Sequence, residues 1–288
     1  MTREPIEPDR KGFVYPGPEK SIYWEYFGTG RREVVCLLNG LAMHTGSWNS
    51  VLPGVLAEYD VLLYDYLGQG RSTVVDEPLF IPDLGDFLVL IIDDLGIDRI
   101  HLLGISYGGF VALDFARRHQ HRLHTLTLSG ILLSREELFH MYQEMSLRFY
   151  RAGETGFELY THYLYEKIFG ETFVCGAKPY LEKMRRAFFE RYRHQIHSLV
   201  RFTEAQDPFF AGLEENLPEF RAIQTPTLIL AGDQDRVILP EVQRKIADIL
   251  PISRFERVEN SGHVVYLEQK DIFFGFLKRF CRAKSVRF

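Results

Sequence analysis

The segment LLGISYGGFV, residues 102–111, places a serine between glycines where a buried strand is expected to give way to a helix. A sharp strand-to-helix turn holds its apex residue in a strained backbone conformation and leaves no room for a Cβ atom on either side. The pattern Gly104-x-Ser106-x-Gly108 therefore predicts a serine whose hydroxyl is lifted clear of the sheet. The free N–H groups of the following helix would point toward the same place, which favours attack on a carbonyl group.

A serine hydroxyl is a weak nucleophile until a base takes its proton and a third group orients that base. Asp235 lies three residues after Gly232, which ends the apolar run LILAG. His263 lies on the glycine-bounded loop of VENSGHVVYLE. We expect His263 to deprotonate Ser106 and Asp235 to orient His263. Asp233 is the alternative acid on the same loop, and we assign it to organising that loop.

Attack on a carbonyl also needs hydrogen-bond donors for the negative charge that develops on its oxygen. The backbone N–H of Tyr107, directly after the serine, is the first expected donor. The second is the amide of Leu41, on the loop after the apolar run VVCLLNG. On that loop His44 is assigned with equal weight to the pocket and to the surface, and Trp48 is expected to be a packing residue.

The elements that would position these residues alternate in type along the chain. Near-continuous apolar runs that end in glycine are typical of central strands covered on both faces, and segments with helical spacing lie between them. The strand-like segments are SIYWEYFG, REVVCLLNG, YDVLLYDYLG, RIHLLGIS, LHTLTLSG, TPTLILAG and ISRFERVE. Strand and helix in alternation with short connections predict an α/β fold, a mostly parallel sheet wrapped by helices.

This alternation stops between residues 131 and 222, where the pattern is helical throughout. The sequence therefore predicts a core formed by residues 1–130 and 223–288, with residues 131–222 inserted as a helical cap. Two apolar stripes are expected to be buried: Leu138, Met141, Tyr142, Met145 and Phe149, and Leu181, Met184, Phe188, Tyr192, Ile196 and Leu199. The segment is rich in Phe and Tyr, which favours an apolar acyl pocket and plain helix packing equally.

Composition indicates a soluble globular protein. Of 288 residues, 46% are hydrophobic and 25% charged, and the net charge of −5 gives no signal for nucleic acid or an anionic membrane. No apolar run approaches the roughly 20 residues of a membrane span, and the charged N-terminal stretch lacks the apolar region of a secretory signal. Cys36, Cys175 and Cys281 form no CxxC pair and are interpreted as reduced, buried thiols of a cytoplasmic protein without a metal site.

The stretch from 178 to 201 is basic within an otherwise acidic chain, with seven Lys and Arg against two Glu. A solvated helix face is the first explanation of this charge. The alternative is a docking surface for coenzyme A phosphates or for an acidic carrier protein.

Four ordered motifs resemble those of α/β-hydrolases, and the resemblance extends over essentially the full chain. The motifs are Gly104-x-Ser106-x-Gly108-Gly109, Asp65-x-x-Gly68-x-Gly70-x-Ser72, Gly232-x-x-Asp235, and Ser261-Gly262-His263 with Glu268 downstream. The resemblance implies that Ser106, Asp235 and His263 form a catalytic triad and that no cofactor is needed. It also implies a structural role for the segment from Asp65 to Ser72.

One position departs from many relatives, which have His-Gly where this chain has Asn39-Gly40. The Asn-Gly form is similar to acyltransferase-like members that take hydroxyacyl chains from acyl carrier protein. Asn39 can hold a tight turn through its own side chain. We therefore expect the loop that carries the Leu41 amide to keep its conformation despite the change.

The expected activity is that of a serine hydrolase that cleaves carboxylic esters of small to medium apolar acyl groups through an acyl-enzyme. A thioesterase or acyltransferase on acyl-coenzyme A or carrier-bound chains is the alternative, and so is a carbon–carbon bond hydrolase. A receptor that uses a hydrolase scaffold only to bind its ligand is the non-enzymatic alternative. The expected partner is a small-molecule ester or thioester, with self-association and an acyl carrier protein as further options, and without nucleic acid or a membrane span.

Overall fold

The computed structural model describes residues 6–288, so the first five residues of the predicted segment 1–130 lie outside the described part of the chain. A sheet of eight strands forms the centre of the fold. The strands are β1 (Arg10–Gly17), β2 (Lys20–Phe27), β3 (Val34–Leu38), β4 (Asp60–Tyr64), β5 (Ile100–Ile105), β6 (Leu123–Ser129), β7 (Thr227–Gly232) and β8 (Ser253–Val258).

The strands follow the order β1-β2-β4-β3-β5-β6-β7-β8 across the sheet. From β4 to β8 every neighbouring pair is parallel, and β1 and β2 add an antiparallel edge. The predicted α/β class with a mostly parallel sheet is therefore confirmed. The sequence analysis did not identify β1, because most of its residues are partly or fully exposed and it carries no apolar run.

Twelve α-helices flank or extend the sheet within the described residues. They are α1 (Leu52–Leu56), α2 (Ile81–Asp94), α3 (Tyr107–His119), α4 (Glu137–Arg151), α5 (Gly153–Ile168), α6 (Glu171–Tyr192), α7 (Ile196–Glu204), α8 (Gln206–Ala211), α9 (Leu213–Arg221), α10 (Pro240–Ile249), α11 (Val265–Glu268) and α12 (Lys270–Ala283). None of them is both long and apolar enough to cross a membrane.

The central strands are buried on both faces, since alternate side chains of one strand enter different core clusters. On β3, Cys36 and Leu38 join a cluster with residues of α2, α3 and α10. Val35 and Leu37 face the opposite way and join residues of α1 and α12. This explains why the strand sequences are continuous apolar runs rather than alternating ones.

The six helices from α4 to α9 all lie within residues 131–222, between β6 and β7, and we call this segment the helical insertion. Its own apolar cluster includes Tyr150, Phe157 and Tyr160. The first predicted stripe was wrong for three of its five members, whereas Tyr142 and Phe149 pack against the core clusters. Its members Leu138, Met141 and Met145 are exposed, while the opposite face of the helix is buried.

The three cysteines have free thiols, and Cys36 and Cys281 are buried as predicted. The prediction was wrong for Cys175, which is exposed on α6. Burial raises the pKa of the Cys36 thiol above its ordinary range.

The turn between β5 and α3 explains the glycines of the segment that contains Ser106. A Cβ atom on Gly104 would lie 2.5 Å from the carbonyl oxygen of Gly108 and 2.6 Å from the Cβ of Ala112. A Cβ atom on Gly108 would lie 2.7 Å from the carbonyl oxygen of Leu38. The first turn of α3 is thus packed directly on the ends of β3 and β5, closer than any side chain would allow.

We therefore expect Gly104→Ala to lower the free energy of unfolding by about 3 kcal/mol, the usual cost of overpacking a rigid core. Gly275→Ala is the control, because Gly275 lies in the middle of α12 with open space around its Cα. That change should raise stability by about 0.5–1 kcal/mol through helix propensity. Urea unfolding monitored by circular dichroism measures both values, and equal stability of the two variants would contradict the close packing.

Candidate active site

Ser106 lies between the end of β5 and the start of α3. Its backbone has φ of 49° and ψ of −122°, in the left-handed half of conformational space that side chains other than glycine avoid. Hydrogen bonds on both sides hold this strained turn: the Ser106 N–H donates to the carbonyl of Ser129 at 2.8 Å, and its own carbonyl accepts from Gly109 N–H at 2.8 Å. The side chain is therefore presented above the carboxyl ends of the strands.

The structure brings Ser106, His263 and Asp235 together although they are far apart along the chain. His263 Nε2 lies 2.9 Å from Ser106 Oγ, and His263 Nδ1 lies 2.9 Å from Asp235 Oδ2. Since a carboxylate only accepts hydrogen bonds, the imidazole proton sits on Nδ1. Nε2 is then free to accept the proton of the serine hydroxyl.

The buried carboxylate of Asp235 has four hydrogen-bond donors. The N–H groups of Val237 and Ile238 donate to Oδ1 at 2.8 and 2.9 Å, and Gln243 Nε2 donates to Oδ2 at 2.9 Å beside the His263 ring. These contacts leave Asp235 little freedom to rotate. Asp233 instead accepts from Ser261 N–H at 3.1 Å, consistent with its assignment to the loop.

The sequence analysis missed Gln243. Its side chain is fully buried, where it joins Asp235 to the end of β6 through a bond from Gly130 N–H to Gln243 Oε1 of 2.9 Å. A polar residue among the apolar positions of α10 was the one available signal.

The loop that carries His263 is tied to the helical insertion. The N–H of His263 donates to the carbonyl of Ile168 at 2.8 Å. Glu268 accepts from Gly262 N–H at 3.0 Å and from Gly170 N–H at 2.9 Å, so one carboxylate joins the histidine loop to the start of α6. Burial raises the pKa of Glu268, and the two amide bonds oppose that effect.

The loop after β3 lies directly against Ser106. The Cβ of Ser106 would be 3.6 Å from a Cβ on Gly40, and Leu41 and Tyr107 both line the cavity at this point. Within residues 6–288, no protein acceptor pairs with the amide of Leu41 or of Tyr107. Both amides are therefore available to donate to a bound oxygen.

Asn39 fixes this loop by contacts that differ from the predicted local turn. Its Nδ2 donates to the carbonyl of Tyr64 at the end of β4, at 2.9 Å, and its Oδ1 accepts from Trp48 Nε1 at 2.8 Å. Trp48 is fully buried, which confirms that it is a packing residue. The Asn-Gly form thus anchors the loop to the neighbouring strand.

His44 is half-buried within the loop and does not line the cavity. Its Nδ1 accepts from Gly46 N–H at 3.1 Å and caps the short helix Thr45–Trp48. Burial lowers the pKa of His44 to about 4, and the positive charge of Arg191 acts in the same direction.

The segment from Asp65 to Ser72 is structural, as predicted. Asp65 accepts from Thr45 N–H at 2.7 Å and from Arg71 N–H at 2.8 Å, and Ser72 Oγ donates to the carbonyl of Asp65 at 2.6 Å. Asp65 thus joins the loop after β4 to the loop after β3. Burial raises the pKa of Asp65 to about 6, and the two backbone N–H groups limit the rise.

A cavity of about 400 Å³ reaches from Ser106 into the helical insertion. Aromatic and aliphatic side chains form most of its walls, among them Phe139, Phe169, Phe188 and Leu164. None of the described residues in the walls is Lys, Arg, Asp or Glu. No group of three or more His, Cys, Asp or Glu within residues 6–288 is placed to hold a metal ion.

The model of the alpha/beta hydrolase fold family matches residues 33–270. This match covers strands β3 to β8, the turn at Ser106 and the loops of Asp235 and His263. The chain belongs to that family. The resemblance inferred from the motifs is therefore confirmed at the level of the family.

Relatives with assigned activities are distant but similar over most of their length. The chain is 25% identical over 251 residues to Putative carbamate hydrolase RutD of Caulobacter sp. strain K31, covering 86% of this chain and 90% of that protein. It is 27% identical over 252 residues to the 2-hydroxy-6-oxononadienedioate/2-hydroxy-6-oxononatrienedioate hydrolase of Klebsiella pneumoniae subsp. pneumoniae, covering 84% of each.

Solved structures show the same fold. MGS-M2, an alpha/beta hydrolase enzyme from a Medee basin deep-sea metagenome library, aligns with a TM-score of 0.84 at 23% identity over 93% of this chain and 96% of that one. A thermophilic esterase from Thermogutta terrifontis aligns with a TM-score of 0.79 at 23% identity, over 96% of this chain and all of that one.

The raised pKa of Asp65 predicts a pH dependence of stability. The folded state binds the proton of this carboxyl more tightly than the unfolded state, in which the pKa is near 3.8. Its contribution to stability is therefore fully present below pH 3.8 and is lost as the pH rises through about 6. Compared with Asp65→Asn, the wild type should lose about 2.5 kcal/mol of unfolding free energy between pH 4 and pH 7.

Urea unfolding of both proteins across this pH range measures the effect. The constant cost of the lost hydrogen bond in Asp65→Asn cancels when only the change with pH is compared. A difference between the two proteins that does not vary with pH would show that the pKa of Asp65 is the same in the folded and unfolded states.

Proposed function

We propose that this protein is a serine hydrolase that cleaves neutral carboxylic esters of small to medium acyl groups through an acyl-enzyme. The observation that carries the proposal is the hydroxyl of Ser106, which lies 2.9 Å from His263 Nε2 and opens on the mainly apolar cavity. A nucleophile with an oriented base beside a site free of charged side chains suits an uncharged acyl group.

In the proposed mechanism, His263 Nε2 takes the hydroxyl proton as Ser106 Oγ attacks the ester carbonyl. The amides of Leu41 and Tyr107 donate to the oxygen that becomes negative, and Asp235 stabilises the imidazolium. His263 then protonates the departing alcohol as the bond to it breaks. A water molecule, deprotonated by the same imidazole, attacks the acyl-enzyme and releases the carboxylic acid.

The helical insertion is the proposed cap of this site. Its helices supply most of the aromatic walls of the cavity, and the bond from His263 N–H to Ile168 places it against the catalytic loop. Specificity for the acyl group is therefore assigned to residues 131–222, with the core providing the reacting groups.

Carbamate hydrolysis is the second candidate, since proteins named as carbamate hydrolases match most of the chain. The same serine attack serves it. Cleavage of a carbon–carbon bond in a dioate, the activity in the name of other relatives, is less well supported, because no described cation lines the cavity to balance a carboxylate.

The thioesterase alternative relies on the basic stretch from 178 to 201. Several of its cations are already paired on the insertion: Arg185 and Arg186 contact Glu182, and Arg193 contacts Glu154. Because these cations are neutralised by nearby glutamates, the basic stretch is better interpreted as a solvated helix face than as a docking surface for phosphates.

Ser106→Ala is expected to reduce turnover of p-nitrophenyl heptanoate by at least about 10⁴-fold, because the nucleophile is lost. Labelling by a fluorophosphonate should disappear in the same variant. Ser285→Ala, which changes a serine near the C-terminal end, should leave both unchanged. Retained labelling or turnover in Ser106→Ala would contradict the assignment of the nucleophile.

Because the described cavity walls carry no Lys, Arg, Asp or Glu, the enzyme is expected to discriminate strongly against charged acyl groups. The p-nitrophenyl monoester of heptanedioic acid should have a kcat/KM about 100-fold below that of p-nitrophenyl heptanoate, because its second carboxylate would be desolvated without a partner. Steady-state kinetics with the two esters measures the ratio. Preference for the acidic ester would favour a dioate hydrolase instead, and equally fast turnover of heptanoyl-coenzyme A would favour the thioesterase.

A further inference from the structure

Helix α4 of the insertion buries three polar or hydroxyl side chains and leaves three apolar ones exposed, which departs from the pattern of an ordinary surface helix. Its exposed apolar side chains are Leu138, Met141 and Met145. Gln143, Ser146 and Tyr150 are buried and line the cavity that reaches Ser106. The buried face of α4 thus combines Phe139 with polar groups that line the cavity.

Two of these buried side chains lack a partner within the described part of the chain. Tyr150 is 2% exposed and Gln143 is 5% exposed, yet the Tyr150 hydroxyl and Gln143 Nε2 make no hydrogen bond. A buried polar group without a partner costs about 1–3 kcal/mol. Two such groups, about two turns apart on one face of α4, are explained if a ligand in the cavity completes their hydrogen bonds.

The neighbouring hydroxyl groups do not supply that partner. Ser146 Oγ donates to the carbonyl of Tyr142 at 2.8 Å, within the helix. The Tyr142 hydroxyl lies 3.5 Å from that of Tyr160, which packs edge-on against Tyr150 with ring centroids 4.7 Å apart. Ser146 is therefore paired with the helix backbone, and the Tyr160 hydroxyl is the polar neighbour of Tyr150. No hydrogen bond of 3.5 Å or less reaches the Tyr150 hydroxyl from the described residues.

Tyr150 lines the cavity that contains Ser106 and neither of the other two main depressions. Gln143 stands with Phe139 in the wall between this cavity and a surface groove that holds Arg135 and Asp207. The Tyr150 hydroxyl therefore defines the site, and Gln143, about two turns away on the same face of the helix, adds a second donor to the cavity wall.

The chemistry of these groups restricts what they can bind. Gln143 Nε2 is a donor only, and a tyrosine hydroxyl donates or accepts. Burial raises the pKa of Tyr150 far above its ordinary range, so this hydroxyl keeps its proton. Without a cation in the described walls, an ionised ligand group would remain uncompensated. The complementary group is a neutral acceptor oxygen.

We propose that Tyr150 and Gln143 form a subsite for a carbonyl oxygen on the acyl chain, remote from the bond that is cleaved. The substrates would then be esters of oxo-acids rather than of plain fatty acids. This inference rests on the proposed ester hydrolysis at Ser106 and adds a specificity determinant to it. Each contact would donate to one lone pair of the carbonyl, as its two acceptor sites allow.

The test compares two p-nitrophenyl esters of the same shape. The first is the 6-oxoheptanoyl ester, which has a ketone next to its terminal methyl group. The second is the 6-methylheptanoyl ester, in which a methyl group takes the place of the ketone oxygen. The wild type should have a kcat/KM about tenfold higher for the ketone. Tyr150→Phe and Gln143→Leu should each reduce this value about tenfold for the ketone and leave the apolar ester within about twofold.

Tyr163→Phe is the matched control, since Tyr163 lies in the insertion outside the walls of the cavity and should leave the ratio unchanged. Equal kcat/KM of the wild type for the two esters would overturn the subsite, because water would then satisfy both groups. An equal loss for both esters in Tyr150→Phe and Gln143→Leu would also overturn it, since that result indicates a structural role.

Calorimetry with Ser106→Ala separates this inference from the proposed function. The ketone ester should bind about tenfold more tightly than the apolar ester, and Tyr150→Phe added to this variant should abolish the difference. If the wild type hydrolyses neither ester, the proposed function fails, and this binding difference alone decides the subsite. Equal affinities would overturn the subsite while hydrolysis of either ester would still support the function.

Discussion

The contact between the imidazole of His263 and the buried carboxylate of Asp235 is the constraint on which the site depends. A buried carboxylate is costly unless its oxygens are satisfied, and here two backbone amides, Gln243 and His263 share them. Because these donors fix Asp235, the proton of His263 is fixed on Nδ1 and the opposite nitrogen faces Ser106. The proposed chemistry needs this tautomer at rest.

The same loop is held from the side of the helical insertion. Glu268 and the carbonyl of Ile168 accept from amides of the segment that carries His263. Any displacement of the start of α6 would be transmitted to that segment, since Glu268 also binds Gly170. The insertion therefore contributes to the position of the proposed base as well as to the walls of the cavity.

The buried polar groups of α4 are tolerated because other contacts compensate for their cost. Phe157 and Tyr160 of α5 surround Tyr150 with aromatic contacts that do not require its hydroxyl. The insertion thus gains packing energy from contacts between aromatic rings, while the polar atoms of Tyr150 and Gln143 line the cavity. Proteins commonly accept such local cost where a ligand is to be bound.

Sequence patterns were sufficient for the local features of this protein. The turn of Gly104, Ser106 and Gly108 could be predicted because backbone strain and close approach each demand particular residue types. The buried strands β3 to β7 could be predicted because strands covered on both faces are continuously apolar. The loop positions of Asp235 and His263 followed from their places after the ends of strands.

The sequence could not specify which partners meet across the fold. Gln243 was missed because its role depends on Asp235 and Gly130, which approach it only after the sheet has formed. The buried face of α4 was predicted wrongly, since an apolar stripe predicts burial only where the facing surface is packed, and here a cavity faces the helix. Residue types and spacing determined which groups are proposed to react, whereas the tertiary structure decided their distances and the polarity of the pocket, because these depend on contacts between distant segments.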